Sequence, residues 1–259
     1  MQVRVLGAHN LETRETRHTC LLIDGVLGLD AGSLVSALTP AELSKVRAVL
    51  LTHQHFDHIR DVPSLGLATL DESAHIDVYG LPETLDSVRS HLMDGVVYPD
   101  LTEGLNEAAP KYRFQPVKPE ATATVLGYAV TALPVPHPVP AVGYIVRAPI
   151  GHCVAYTGDT GGNIGAVLHG NNGAATPEVL FVDVTFPDRL EKRAKITGHL
   201  TPGLLGAQLR KAGSSVARLP RIVPVHLSMS HRDEVRRELT ELGAVLGVSL
   251  TPGYEEMVV

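Results

Sequence analysis

The densest chemistry in this 259-residue sequence is the run Thr52-His53-Gln54-His55-Phe56-Asp57-His58, which puts three histidines and an aspartate within six positions. Histidines at i and i+2, then aspartate at i+4 and histidine at i+5, match neither the 3.6-residue period of a helix nor the two-residue period of a strand. The run must therefore turn so that the four side chains converge. Neutral imidazole suits zinc and similar borderline cations, and a carboxylate can bridge or complete a second site, so the composition points to a loop folded around two metal ions. A single histidine would read as a surface or capping residue; this concentration does not.

Three further residues stand just beyond apolar, strand-like runs. His137 follows residues 130–136, Asp159 follows residues 154–158, and His226 follows residues 222–225. The histidine-rich run itself follows the apolar stretch 46–51, so every candidate lies at a strand's C-terminal end, where α/β folds tend to collect their sites. Converging strand ends would supply His53, His55 and His137 to one cation and Asp57, His58 and His226 to the other, with Asp159 bridging them.

In this order the residues resemble the metallo-β-lactamase superfamily, whose pattern is His-x-His-x-Asp-His, a distant histidine, an aspartate in a Gly-Asp-Thr-like turn (here Gly158-Asp159-Thr160) and a final histidine. Leu29-Asp30-Ala31-Gly32-Ser33 looks like that family's turn carrying a structural aspartate. The resemblance covers nearly the whole chain. It implies an α/β fold, an αββα sandwich of two mixed sheets flanked by helices, and a hydrolase using two divalent metal ions, zinc (Zn2+) by preference with Mn2+ or Fe2+ compatible. Phe181-Val182-Asp183-Val184-Thr185-Phe186-Pro187-Asp188 and Thr197-Gly198-His199-Leu200-Thr201-Pro202 look, in addition, like the class II cyclic-nucleotide phosphodiesterases. That likeness implies hydrolysis of 3′,5′-cyclic AMP or GMP to the 5′-monophosphate by a hydroxide bridging the two metals, with His199, Asp57 and Asp183 as catalytic residues. Three departures bear on the wall that would hold the nucleotide ring: Phe56 replaces a leucine, Asp61 replaces a small residue, and Ala8-His9-Asn10-Leu11-Glu12 replaces a glycine-rich turn.

The Gly-His-Leu-Thr-Pro element also has a physical reading of its own. Thr201 is a good N-cap and Pro202 suits the first helical position, so His199 should precede a helix N-terminus whose N–H groups favour an anion. A histidine there could protonate a departing alkoxide. Asp183 could orient it, or could simply cap the turn after its own strand.

Two other hydrolase readings compete. A ribonuclease-Z-like nuclease that trims transfer RNA shares the metal pattern but needs a basic arm, and residues 94–120 carry Lys111, Arg113 and Lys118 against Asp94, Asp100, Glu103, Glu107 and Glu120. A lactonase or thioesterase would have no use for a phosphate site. A non-catalytic metal-binding module fits least, because the ligand set is complete.

The chain is 44% hydrophobic with a formal charge of −6, which allows a full core, read as one domain over 1–259, and gives no general attraction to nucleic acid or an anionic membrane. A small cyclic-nucleotide substrate is the expected partner, no membrane or nucleic-acid partner is favoured, and a homodimer is compatible. The N-terminus lacks a signal-peptide run and no segment has transmembrane length, so a cytoplasmic location is expected. Cys20 and Cys153 read as buried small hydrophobes. His9 and His18 could border the site, His231 reads as a helix cap, and His75, His91, His152 and His169 read as structural or surface residues.

Strand-like runs occur at 3–6, 19–23, 26–29, 46–51, 76–79, 125–133, 142–146, 154–156, 179–182 and 222–225, with a hairpin signal at Asp24-Gly25. Helical patterns occur at 40–45, 62–70, 82–92, 201–212 and 232–242. Residues 94–120 read as a loop-rich insertion and 254–259 as a tied-down strand.

Overall fold

The central strands are apolar on both faces because each sheet is covered twice. In the computed structural model, which describes residues 1–103, 109–169, 176–213 and 219–259, two six-stranded mixed sheets stack face to face with helices outside. The first has the order β1 (Val3–Gly7), β2 (Cys20–Ile23), β3 (Leu27–Leu29), β4 (Ala48–Leu50), β5 (Ile76–Gly80), β6 (Tyr112–Pro116). The second runs in reverse chain order from β12 (Arg221–Val225) through β11 (Val179–Asp183), β10 (Cys153–Tyr156), β9 (Val142–Arg147) and β8 (Tyr128–Pro134) to β7 (Thr122–Val125). Successive side chains of a strand serve different layers. Leu21 and Ile23 of β2 point between the sheets, with Tyr144, Phe181 and Val223 from the other side, while Cys20 and Leu22 face helices.

Those helices are α1 (Leu34–Ala37), α2 (Pro40–Leu43), α3 (Phe56–Ile59), α4 (Val62–Ala68) and α5 (Pro82–Ser87) on the first half. On the second they are α6 (Ile164–His169), α7 (Glu191–Thr197), α8 (Pro202–Gly213) and α9 (Arg232–Leu246). This is the αββα sandwich expected.

Several expectations are corrected. The run 125–133 is not one strand but the end of β7 and most of β8, joined at Leu126-Gly127 with φ of 50° and 87°. The 94–120 segment contains β6, a parallel partner of β5. Bonded on one side only, an edge strand tolerates the exposed Arg113 that hides it from a hydropathy pattern. The C-terminal segment forms no strand; one antiparallel bridge, Arg4 to Val258, and bonds such as Val5 N–H to Met257 O at 2.8 Å tie it to β1. Asp24 and Gly25, with φ of 47° and 73°, make the β2–β3 hairpin.

Candidate functional site

β3, β4, β8, β10, β11 and β12 end on one side of the sandwich, and the residues at or just beyond those ends are Asp30, His53, His137, Asp159, Asp183 and His226. His55 is still extended, and the single turn α3 then lifts Asp57 and His58 back over it, with His58 N–H bonded to His55 O at 3.0 Å. Asp30 and His226 adopt φ of 59° and 62°, conformations that non-glycine residues seldom hold outside constrained sites. Two glycines are required by contact. A Cβ on Gly32 would lie 2.1 Å from the Asp57 carbonyl oxygen, and one on Gly158, whose φ is +59°, would lie 2.7 Å from the Thr52 side chain.

All seven candidate ligands come together. His53, His55, His137 and Asp159 offer one donor atom each, all within 4.8 Å of one another; so do Asp57, His58 and His226, and so do Asp159, Asp183, His199 and His226. Hydrogen bonding separates these groups. Among the described residues, buried His53 Nε2, His58 Nε2 and Asp159 Oδ1 make no hydrogen bond, the last two facing each other at 3.3 Å, an arrangement that costs free energy unless something else engages them. His137 Nε2 faces His55 Nδ1 at 3.2 Å although the His137 Nδ1–H is directed at Gly198 O, so a lone pair points at a second imidazole nitrogen. The first two groups therefore fit divalent cations. In the third, Asp183 and both Nδ1 atoms are already satisfied.

Two buried carboxylates support the cluster. Asp30 accepts from Thr52 N at 2.8 Å, Thr52 Oγ1 at 3.0 Å, Tyr156 OH at 2.8 Å and His58 Nδ1 at 2.7 Å. Asp183 accepts from Thr160 N at 3.0 Å, Thr185 Oγ1 at 2.6 Å and His199 Nδ1 at 2.8 Å. The sequence motifs include Thr52 and Thr185 but give neither a role, and nothing in the sequence marks Tyr156.

Charge is unevenly held. Burial alone would depress His58, but Asp159, Asp30 and Asp57 around it hold its pKa well above the usual histidine range. Burial depresses His53, and neighbouring His58 depresses it further. Burial also opposes ionisation of Asp159, yet His226, His58 and His53 hold its pKa well below normal. His199 is raised to about 9, because Asp183 beside it outweighs the cost of burial.

The anion site expected at the start of α8 is pre-empted. Gly203 N–H goes to Asp188 Oδ1 at 2.7 Å and Leu204 N–H to Thr201 Oγ1 at 3.3 Å. His231 stands at the N-cap of α9 without a capping bond; its Nδ1 lies 3.4 Å from Arg189. His9 bonds Glu255 at 2.7 Å, and His18 feels the charges of Asp57 and Arg60. His75 and His152 sit beside Asp77 and Glu178 at the surface, His91 is exposed, and the side chain of His169 is outside the described residues.

Residues 19–227 match a family model described as the beta-lactamase superfamily domain. No curated protein matches the chain in sequence. Among solved structures, the metallo-beta-lactamase fold protein YhfI of Bacillus subtilis is similar with a TM-score of 0.76 and 19% identity, covering 100% of this chain and 98% of its own. Unliganded yeast PDE1 gives 0.80 at 16% identity, with 99% and 98% covered. The short form of human tRNase Z gives 0.73 at 19% identity, with 100% and 98% covered. Among the described residues no helix is long and apolar enough to cross a membrane.

Proposed function

The chain belongs to the beta-lactamase superfamily, a fold family of hydrolases, and on that premise we propose that it is a metal-dependent phosphodiesterase acting on 3′,5′-cyclic nucleotides. His53, His55 and His137 would hold one divalent cation and Asp57, His58 and His226 a second, with Asp159 shared. Such cations supply an acidified water and positive charge for phosphate oxygens; nitrogen-rich ligation suits zinc, with manganese or iron compatible.

The reading rests chiefly on the His199–Asp183 pair. His199 Nδ1 is committed to Asp183 Oδ2 at 2.8 Å, which leaves Nε2 as the atom that can carry a proton outward. Its ring stacks on His226 at 5.2 Å between centroids, so that proton stands beside the ligand cluster. His199 then protonates the departing O3′ while Asp183 keeps the imidazole oriented, general acid catalysis of the kind worth about 10²–10⁴ in rate. With α8 capped by its own neighbours, phosphate recognition falls to the cluster rather than to a helix terminus.

A transfer-RNA nuclease would need cations free to meet RNA. Of the three cations in 94–120, Lys111 is buried against the carbonyls of Thr69, Glu72 and Ala74, Arg113 pairs with Asp77 at 3.1 Å, and Lys118 is exposed, too little positive charge for a basic arm.

The deciding experiment is release of 5′-monophosphate from cyclic AMP and cyclic GMP by metal-analysed protein, with Asp57→Ala, a precursor transfer RNA and a lactone run in parallel. Metal-dependent turnover of a cyclic nucleotide, lost in the variant, is expected. Intact cyclic nucleotides in the presence of bound metal would move the assignment to whichever other substrate is cleaved.

A further inference from the structure

The two buried aspartates hold histidines through the same device, and one copy gives a residue outside the ligand set a specific task. Thr185 has one hydroxyl proton. At 2.6 Å it goes to Asp183 Oδ1, because a carboxylate oxygen surrounded by donors only accepts. The Thr185 oxygen lies 2.8 Å from His226 Nδ1 and can then only accept from it. That puts the imidazole proton of His226 on Nδ1 and leaves the Nε2 lone pair facing Asp57 Oδ2 at 3.1 Å and Asp159 Oδ2 at 3.4 Å.

At the other strand end, Thr52 Oγ1 lies 3.0 Å from Asp30 and 3.0 Å from His53 Nδ1, and by the same logic leaves the His53 Nε2 lone pair unused, a buried atom with no hydrogen-bond partner among the described residues. Each aspartate also holds a second histidine directly, His58 in one case and His199 in the other. The two hydroxyl-relayed histidines fall in different ligand groups.

We propose that Thr185 is a positioning residue that fixes the Nδ1–H tautomer of His226, so that one of the two cation sites, but not the other, depends on its hydroxyl. Thr185 is fully buried, its Oγ1 is also 3.3 Å from His199 Nδ1, and no backbone group stands in for the bond to His226 among the described residues. The inference rests on the reading of His226 as a ligand but not on the substrate. Second-layer partners of metal-bound histidines commonly contribute about 10–100-fold in metal affinity, and that is the size of effect expected.

The test is calorimetric titration of zinc ions into metal-stripped wild type, Thr185→Val and Thr185→Ser, with circular dichroism to verify folding. Two binding events are expected in wild type, with one of them weakened about 10–100-fold in the valine variant and restored by serine. Nitrogen–proton spectra of histidine-labelled protein supply a second readout. His226 should appear as the Nδ1–H tautomer in wild type and the serine variant and become mixed in the valine variant. A folded Thr185→Val protein that binds both zinc ions as wild type does, with the His226 tautomer unchanged, would overturn the role of Thr185 while leaving the ligand reading intact. Wild type that binds no zinc would overturn that reading itself. If the valine variant does not fold, Thr185→Ala takes its place with the same outcomes.

Discussion

At the end of β3, Asp30 holds His58 at 2.7 Å and reaches His53 through Thr52; at the end of β11, Asp183 holds His199 at 2.8 Å and reaches His226 through Thr185. The hydrogen-bonding unit is the same, but its surroundings are not. His58 is 0% exposed and enclosed by Asp57 and Asp159, whereas the His199 side chain is 13% exposed. A carboxylate-backed imidazole that is sealed among other ligand atoms suits holding a cation. The same imidazole with access to solvent suits exchanging a proton with a substrate.

The sharpest way to break this division is to remove each directly held histidine. His58→Ala should lose metal and turnover together, falling to background in both. His199→Ala should keep its metal and lose about 10²–10⁴ in turnover. Metal analysis beside a turnover assay separates the cases, and equal loss of metal in both variants would erase the distinction between them.

Removing the carboxylates tests the same contrast less directly. Asp30→Ala would strand two hydroxyls, a backbone N–H and His58, all buried, and should lower stability by roughly 3–5 kcal/mol in denaturant melts. Asp183→Asn keeps an acceptor for Thr185 but sets an NH2 against the Thr160 N–H and His199 Nδ1–H, so it should cost less stability than Asp30→Ala and slow turnover about 10–100-fold. Tyr156→Phe is gentler still. Of these two aspartates, Asp30 alone has a tyrosine donor among the described residues, so this change should cost about 1 kcal/mol and leave the Asp183 pair untouched.

What could be read in advance follows from how each feature is encoded. Seven ligand-type side chains announce themselves by residue type at or just beyond strand ends, and His199 by its place before a helix start, and the structure brings them to one place. Thr52, Thr185 and Tyr156 do not, because threonine and tyrosine are ordinary strand residues and their tasks depend on which oxygen lies 2.6 or 3.0 Å from which neighbour. The turn at Leu126-Gly127 is hidden by an apolar residue in a left-handed conformation that continues the hydrophobic run. The start of α8 misleads in another way. Thr201-Pro202 marks a helix N-terminus correctly, but Asp188, fifteen positions before Gly203, takes the Gly203 N–H that an anion would use.

The smallest effect expected concerns acid. Both threonine–aspartate units are hydrogen bonds within the chain and need no cation to persist, so metal loss and unfolding should separate on the pH scale. Candidate histidine ligands must give up their protons to bind a cation, so metal affinity falls as the solution is acidified. Outside the candidate ligand set, Glu255 accepts from His9 Nδ1 at 2.7 Å and Arg17 N at 3.0 Å and ties the C-terminal segment to the first loop. Burial alone would raise its pKa, but these bonds hold it down at about 2. A carboxyl depressed on folding stabilises the native state above its unfolded pKa of about 4.3, and that contribution is lost as pH falls from there towards about 2. On acidification the chain should therefore lose metal before it unfolds, as metal content and circular dichroism followed on the same samples would reveal. Glu255→Gln should flatten the loss of stability below about pH 4.3 without moving the metal transition. Simultaneous loss of metal and secondary structure on acidification would mean instead that the cations, and not the two aspartates, hold the histidines in place.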